Sequence, residues 1–238
     1  KSSDVGVSMG KGGTDVAREA SHVILLDDNF ATIVAAVREG RRIYDNIRKF
    51  VRFALSGNSG EIWTLFLAPF VGLPTPLLPI HILWVNLVTD GLPGLALALE
   101  PEEKNIMRKR ARHKKESIFA RGLWQHAVWV GILTAAVTLG TMAWAFHTRH
   151  AQWQTMAFTV LTFTQMGHVM AIRSERESLF TLGLRSNLAL LVAVLLTLGL
   201  QLCTLYVPVM NRVFKTRPLS WEELLICLVV SSSVFIAV

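Results

Sequence analysis

Apolar residues gather along this chain in long continuous blocks. Six such blocks follow the first fifty residues, and most reach the roughly 20 residues that an α-helix needs to cross a bilayer. They lie at about 53–71, 77–97, 123–146, 153–172, 188–207 and 224–238. The pattern predicts a mainly α protein, in which a six-helix transmembrane bundle occupies residues 41–238.

The first forty residues follow a different pattern, in which short apolar runs alternate with polar turns. The expected elements are a strand at 4–9, a helix at 14–21, a strand at 22–26 and a turn at 27–29. The run at 22–26 is continuous, as in a buried parallel strand. A long helix is expected to begin near Phe30 and to run on into the first span.

Two strands are too few for a stable doubly wound sheet. Residues 1–40 are therefore predicted to be a small α/β remnant of a larger domain. The chain opens with Lys-Ser-Ser-Asp, with neither Met nor an apolar core. We expect it to be part of a longer protein, without a signal peptide.

Composition agrees with a membrane protein. Hydrophobic residues make up 52% of the 238 residues, yet 24 Lys and Arg against 17 Asp and Glu leave a net charge of +7. Mean hydropathy is +0.43. The basic residues alternate with the apolar blocks rather than lining one surface, so a nucleic-acid partner is not expected.

The distribution of basic residues predicts the orientation of the spans. The segment before the first span and the loops after the second and fourth spans are rich in Lys and Arg, which favours their placement in the cytoplasm. Both ends of the chain are then cytoplasmic. The loop after the fifth span carries Arg212, Lys215 and Arg217 and does not fit this alternation.

Polar residues inside membrane spans are costly, so each needs a reason. Asn58 and Glu61 share one helix face in the first span. In the second span, Asn86, Thr89 and Asp90 follow the same spacing. Gly and Pro residues directly after Asp90 are expected to loosen the helix and free backbone carbonyls, as in the broken helices of transporters.

These five side chains offer only oxygen ligands, which suits a hard cation such as Ca²⁺ and argues against Zn²⁺ or Cu⁺. Two carboxylates also match a charge of +2. Gln165, in the middle of the fourth span, could add a neutral oxygen, while His168 nearby is interpreted as structural or interfacial. The alternative is a set of hydrogen bonds that only hold the helices together.

Several motifs resemble those of P-type ATPases. The stretch Asp4-Val-Gly-Val-Ser-Met-Gly and the stretch Ala20-Ser-His-Val-Ile-Leu-Leu-Asp-Asp-Asn-Phe resemble the end of the phosphorylation domain. Leu83-Trp-Val-Asn-Leu-Val-Thr-Asp-Gly-Leu-Pro93 is similar to the sixth helix of calcium pumps. The resemblance covers nearly the whole chain and extends to bacterial relatives of the sarcoplasmic reticulum type.

The resemblance implies that the six spans are helices five to ten of a ten-helix pump in the plasma (inner) membrane. It assigns ion ligation to the residues that match Asn58, Glu61, Asn86, Thr89 and Asp90. In two-site pumps a Glu of the eighth helix completes one site, whereas this sequence has Gln165. That departure puts transport of two ions per cycle in doubt.

The resemblance also identifies parts that this sequence does not contain. The Asp-Lys-Thr-Gly-Thr motif, whose Asp accepts phosphate from Mg²⁺ and ATP, does not occur here. Helices one to four and the actuator and nucleotide domains would be partners supplied by the rest of the pump. No catalytic residue is therefore assigned, and the 238 residues alone are not expected to hydrolyse ATP.

Two other interpretations stay open on sequence grounds. One is a free-standing membrane scaffold or passive cation channel without ATPase activity. The other is a pump for Mn²⁺, Na⁺ or H⁺, since Mn²⁺ shares the oxygen ligands of Ca²⁺.

Overall fold

The computed structural model describes residues 4–103, 105–108, 117–120, 122–173 and 183–238, and these are mainly helical. They form two compact units. The first comprises residues 1–45 and 102–111, and the second comprises residues 46–101 and 112–238. Most of the basic loop at 104–121 and part of the loop at 173–185 lie outside the described residues.

A short parallel strand pair forms the centre of the first unit. Strand β1 (Val7–Met9) pairs with β2 (Val23–Leu25), and Val7 lies opposite Val23. Helix α1 (Asp15–Ala20) connects them. The parallel pairing agrees with the prediction. The predicted burial of β2 is not observed, because only Leu25 of that strand is buried within this chain.

The loop after β1 is closed by a carboxylate of the chain itself. Asp28 accepts hydrogen bonds from the backbone N–H of Lys11 at 2.9 Å and of Gly12 at 2.7 Å. The backbone N–H of Lys11 is the main cause that lowers the pKa of the Asp28 carboxyl below its usual value. Because hydrogen bonds to the ionised form favour that form, the loop is held by a charged Asp28.

Helix α2 (Phe30–Leu67) is continuous over 38 residues, so the predicted long helix into the first span is present. A 3₁₀ turn (Pro69–Val71) follows it and ends at Gly72, whose φ of 72° is a left-handed conformation. The predicted first span thus ends as an α-helix four residues earlier than the apolar block suggested.

The second predicted span is an interrupted helix. Helix α3 (Pro79–Trp84) leads into a π-helical turn (Val85–Thr89), and α4 (Gly91–Leu97) continues after Asp90. We expected the irregularity after Asp90, among the Gly and Pro residues. That was wrong, since this segment is regular α-helix and the irregular turn precedes it.

The remaining long elements described in the second unit are helices. They are α5 (Leu123–His147), α6 (Trp153–Ala171), α7 (Leu188–Tyr206), α8 (Pro208–Phe214) and α9 (Trp221–Ala237). Short 3₁₀ turns lie at Ile106–Arg108, in the first unit, and at Leu184–Ser186. Helix α8 lies in a stretch that was predicted to be a loop.

Among the described helices, three are long and apolar enough to cross a membrane, namely Pro79–Leu97, Leu123–His147 and Leu188–Tyr206. The other predicted spans are helical as well, within α2, α6 and α9. Helix α9 has 17 residues and starts at Trp221, where Ser220 and Glu223 form a capping box. Its start is therefore three residues earlier than predicted.

A buried ion pair joins the ends of three helices in the second unit. Arg173, 1% exposed, donates to the Glu100 carboxylate, 2% exposed, from Nε at 3.1 Å and from Nη2 at 3.0 Å. Asn187, which caps α7, donates to the same carboxylate at 2.7 Å. Asn46 of α2 donates to the backbone carbonyl of Glu100 at 2.8 Å. Charges this deeply buried need such complete pairing.

Candidate cation site

The predicted ligands of α2 differ in burial. Glu61 is only 4% exposed, whereas Asn58 is half-buried. The Asn58 amide donates to the carbonyl of Ala54 in its own helix at 2.8 Å. Because one amide hydrogen is held by the helix backbone, the part of Asn58 suited to binding a cation is its oxygen.

Glu61 accepts amide hydrogens from two other helices. Asn86 Nδ2 donates to Glu61 Oε2 at 2.9 Å, and Gln165 Nε2 lies 3.4 Å from Glu61 Oε1. Asn86 uses its second amide hydrogen on the carbonyl of Ile82 at 3.0 Å. The structure thus brings together three of the predicted ligands, from α2, from the interrupted helix and from α6.

Asp90 follows the π-helical turn directly. Its backbone N–H donates to Val85 O, five residues back, at 2.8 Å, and its own carbonyl accepts from Gly94 N at 3.0 Å. Pro93 has no N–H and therefore makes no bond to Thr89 O, which breaks the regular ladder one turn before the proline. This explains why the irregular turn precedes Asp90.

The side chains of Thr89 and Asp90 are buried without compensation. Asp90 is 7% exposed and Thr89 is fully buried, yet within the described residues neither Asp90 Oδ1, Asp90 Oδ2 nor Thr89 Oγ1 has a hydrogen-bond partner. A buried oxygen left unpaired costs about 1–3 kcal/mol, and more when it is charged.

Gly57 allows α2 to approach these groups closely. A Cβ on Gly57 would lie 3.1 Å from both Asp90 Oδ2 and Gln165 Nε2. Both side chains therefore contact the same bare stretch of the α2 backbone. Gln165 Oε1 is also buried and has no partner among the described residues. Gly57 was not among the predicted site residues, although a glycine inside a membrane helix and next to a predicted ligand is a usable signal.

The predicted ligands thus converge, but unevenly. Hydrogen bonds connect Glu61, Asn86 and Gln165, while Asp90 and Gln165 meet at Gly57. Asn58 and Thr89 are adjacent to these residues in the chain, and no hydrogen bond in the described structure joins either side chain to another predicted ligand. The described residues contain no cluster of three or more His, Cys, Asp or Glu that could hold a metal ion. Any cation bound here would rely on amide and hydroxyl oxygens beside two carboxylates.

His168 lies outside this group of ligands. Its Nε2 is 3.2 Å from His126 Nε2, and its ring stacks on Phe53 at a centroid distance of 6.0 Å. Two imidazoles in this arrangement share one N–H···N hydrogen bond. The interpretation of His168 as structural or interfacial agrees with these contacts.

Comparison with known proteins identifies the family. Residues 74–238 match the family described as "Cation transporting ATPase, C-terminus". The chain belongs to the cation-transporting ATPases. The resemblance to P-type calcium pumps in the motifs is thereby confirmed, and the chain is a membrane protein with apolar helices long enough to span a bilayer.

Individual cation-transporting ATPases match nearly the whole chain. The calcium-transporting ATPase of Bacillus subtilis (strain 168) is 47% identical over 91% of this chain and 24% of its own length. Calcium-transporting ATPase 1 of Bacillus cereus is 43% identical over 94% and 27%. Calcium-transporting ATPase type 2C member 1 of Homo sapiens is 38% identical over 99% and 26%. The chain spans about a quarter of the length of these relatives.

Proposed function

We propose that this chain supplies most of the transmembrane ion site of an ATP-driven Ca²⁺ exporter, with Asn58, Glu61, Asn86, Thr89, Asp90 and Gln165 as ligands. The observation that carries the proposal is the Asp90 carboxylate, which is buried although no described residue donates to either oxygen. A cation between Asp90, Glu61 and the amide oxygens would neutralise both acids. The names of the relatives support Ca²⁺ as the transported ion.

The donor set fits the coordination chemistry of Ca²⁺. The ion takes about six to eight oxygens, and carboxylates, amides and hydroxyls are its usual protein ligands. The amide hydrogens of Asn58 and Asn86 bond to backbone carbonyls or to Glu61, so their oxygens remain for the ion. Gln165 contributes an oxygen without a charge. We therefore propose that one ion is bound per cycle, and that Asp90 is among its ligands.

In the proposed architecture, six helices span the plasma membrane and both chain ends lie in the cytoplasm. Residues 1–40 form the end of a phosphorylation domain in this scheme, and residues 41–238 form the membrane domain. The continuous helix α2 supports the scheme, because it would transmit phosphorylation to Glu61 as a mechanical movement. Helices one to four, the actuator and the nucleotide domain, with Mg²⁺ and ATP, come from the rest of the intact pump.

The test is Ca²⁺-dependent phosphorylation by ATP in the intact pump that contains this chain. Asp90→Asn removes the charge but keeps the size, and it is expected to abolish Ca²⁺-dependent phosphoenzyme while the protein remains folded. Thr138→Val is the matched control, since Thr138 is a buried residue of α5 outside the proposed ligand set. Unchanged phosphorylation in Asp90→Asn would refute the site.

The ion and its stoichiometry are tested separately. Phosphorylation is measured at a fixed low Ca²⁺ concentration while Mn²⁺ or Na⁺ is added or the pH is changed. Competition with Ca²⁺ in this assay distinguishes a Ca²⁺ pump from the other cation pumps. Gln165→Glu restores a third acid and is expected to raise the number of Ca²⁺ ions bound per phosphoenzyme. A wild-type ratio of two would contradict a single site.

A further inference from the structure

Helix α7 contacts both halves of the interrupted helix, although it contributes none of the proposed ligands. Near its C-terminal end, Gln201 Oε1 accepts a hydrogen bond from Trp84 Nε1 at 3.0 Å. Gln201 is fully buried. Trp84 is the last residue of α3 and directly precedes the π-helical turn, so this bond holds the start of that turn.

At the other end of α7, Asn187 holds the second half of the interrupted helix. Asn187 Nδ2 donates to Ala96 O at 3.2 Å and to Glu100 Oε2 at 2.7 Å. Its oxygen accepts from Leu190 N at 2.9 Å and caps α7 at the same time. The end of α4 is therefore tied to the start of α7 by a side chain that is itself buried.

The two contacts match the geometry of antiparallel neighbours. From Asn187 to Gln201 an α-helix rises about 21 Å, and from Trp84 to Ala96 it would rise about 18 Å. Between the two contacts, Leu190 and Val194 of α7 pack in one apolar cluster with Ala96 and Leu97. The segment between the polar contacts is 85–95, which comprises the π-helical turn, Asp90 and the first five residues of α4.

We infer that α7 fixes both halves of the interrupted helix, and that Gln201 and Asn187 are positioning residues that confine movement during transport to Val85–Asp90. A hydrogen bond in a bilayer resists exchange with solvent because no water competes for it. With both halves fixed, the helix adapts to ion binding where its ladder is already broken. The inference rests on the proposed function and extends it to a helix that carries no ligand.

Amide hydrogen exchange of the intact pump in Ca²⁺-free detergent solution tests the positioning role without relying on transport. Gln201→Leu is expected to accelerate exchange at Val85–Asp90 about fivefold, since local opening follows the loss of a bond worth roughly 1 kcal/mol. Thr197→Val is the matched control, because Thr197 lies one turn away on the same buried face and its hydroxyl has no partner among the described residues.

Two further variants separate positioning from folding. Trp84→Phe removes the other partner of the same bond, so the double variant with Gln201→Leu should resemble either single variant. Asn187→Ser keeps a hydroxyl to cap α7 but loses the donor to Ala96 O, and it should accelerate exchange near Ala96 rather than throughout α7. Additive effects of Trp84→Phe and Gln201→Leu would overturn the inference.

Transport measurements complete the test. Gln201→Leu and Asn187→Ser should raise the Ca²⁺ concentration for half-maximal phosphorylation about threefold to tenfold, the equivalent of one lost hydrogen bond, with the maximal phosphoenzyme level unchanged. Altered exchange without any Ca²⁺ response would contradict the proposed Ca²⁺ site but leave the fixing of the helix intact. Unaltered exchange in both variants would refute the positioning role itself.

Discussion

The buried pair of Glu100 and Arg173 allows a quantitative prediction. Both side chains are at most 2% exposed, and Arg173 donates to Glu100 from two nitrogens. Removing one member of such a pair costs about 3–5 kcal/mol, because the remaining charge stays buried without compensation. Substitutions at these two positions should therefore be among the most destabilising conservative changes in the second unit.

The two single substitutions are expected to differ slightly. Glu100→Gln keeps one oxygen toward Arg173 but presents an amide to Asn187, and it should cost about 3 kcal/mol. Arg173→Met also removes the bonds to Ser186 Oγ at 2.6 Å and to Gly183 O at 3.3 Å, so it should cost about 4 kcal/mol.

The double variant measures how strongly Glu100 and Arg173 depend on each other. With both charges removed, no ion is left buried, so the combined change should cost about 2 kcal/mol, less than either single change. The coupling free energy is then about 5 kcal/mol. Denaturant titration of the purified protein in detergent micelles, followed by tryptophan fluorescence, measures all four corners of the cycle.

An exposed pair provides the control for this cycle. Arg42 and Glu39 form an i,i+3 ion pair on α2 with side chains 34% and 52% exposed. Glu39→Gln should leave the unfolding midpoint unchanged, because solvent screens such pairs. Additive losses for Glu100→Gln and Arg173→Met would show that the two residues do not act as a pair and would refute the reasoning.

Three further predictions follow from contacts at glycines and at the loop carboxylate. Gly57→Ala should preserve folding but weaken Ca²⁺ activation of phosphorylation, since its Cβ would meet two side-chain ends at 3.1 Å. Gly131→Ala should lower the free energy of unfolding by about 1–3 kcal/mol, because its Cβ would clash with Ser59 Oγ. Gly140→Ala on the same helix should not, because nothing lies within 4 Å of the added Cβ. Asp28→Asn should speed amide exchange in the loop after β1. Folding lowers the pKa of the Asp28 carboxyl, so its stabilising effect is present above the unfolded-state pKa and is lost as the pH falls through the lower folded-state pKa.

Much of this fold follows directly from the sequence. The uninterrupted helix α2 was predicted because its polar and apolar positions keep one period from Phe30 into the first span. Glu61 and Asn86 were predicted to belong to one cation site because costly polar groups inside membrane spans need a reason, and the structure joins the two side chains by a hydrogen bond. Both inferences depend on which types of side chain occur at which positions, and this can be read directly from the sequence.

Backbone irregularities were harder to predict. The Gly and Pro residues after Asp90 suggested a break at their own position, whereas Pro93 disrupts the bond to the residue four places earlier. The π-helical turn at Val85–Thr89 therefore appears one turn upstream. The close approach at Gly57 depends on how α2 packs against its neighbours, which periodicity within a single helix does not specify.

Two buried acids of the second predicted span and its end, Glu100 and Asp90, have opposite surroundings. Glu100 accepts from Arg173 and from Asn187, so its charge is matched by the chain itself. The side-chain carboxylate of Asp90, ten residues earlier, receives no hydrogen bond from any described residue. The fold supplies donors where a carboxylate has a structural role, so their absence at Asp90 is not explained by a shortage of polar groups. A carboxylate left free at the break in a membrane helix is suited to a ligand that arrives and leaves, and a cation is the ligand that its charge selects.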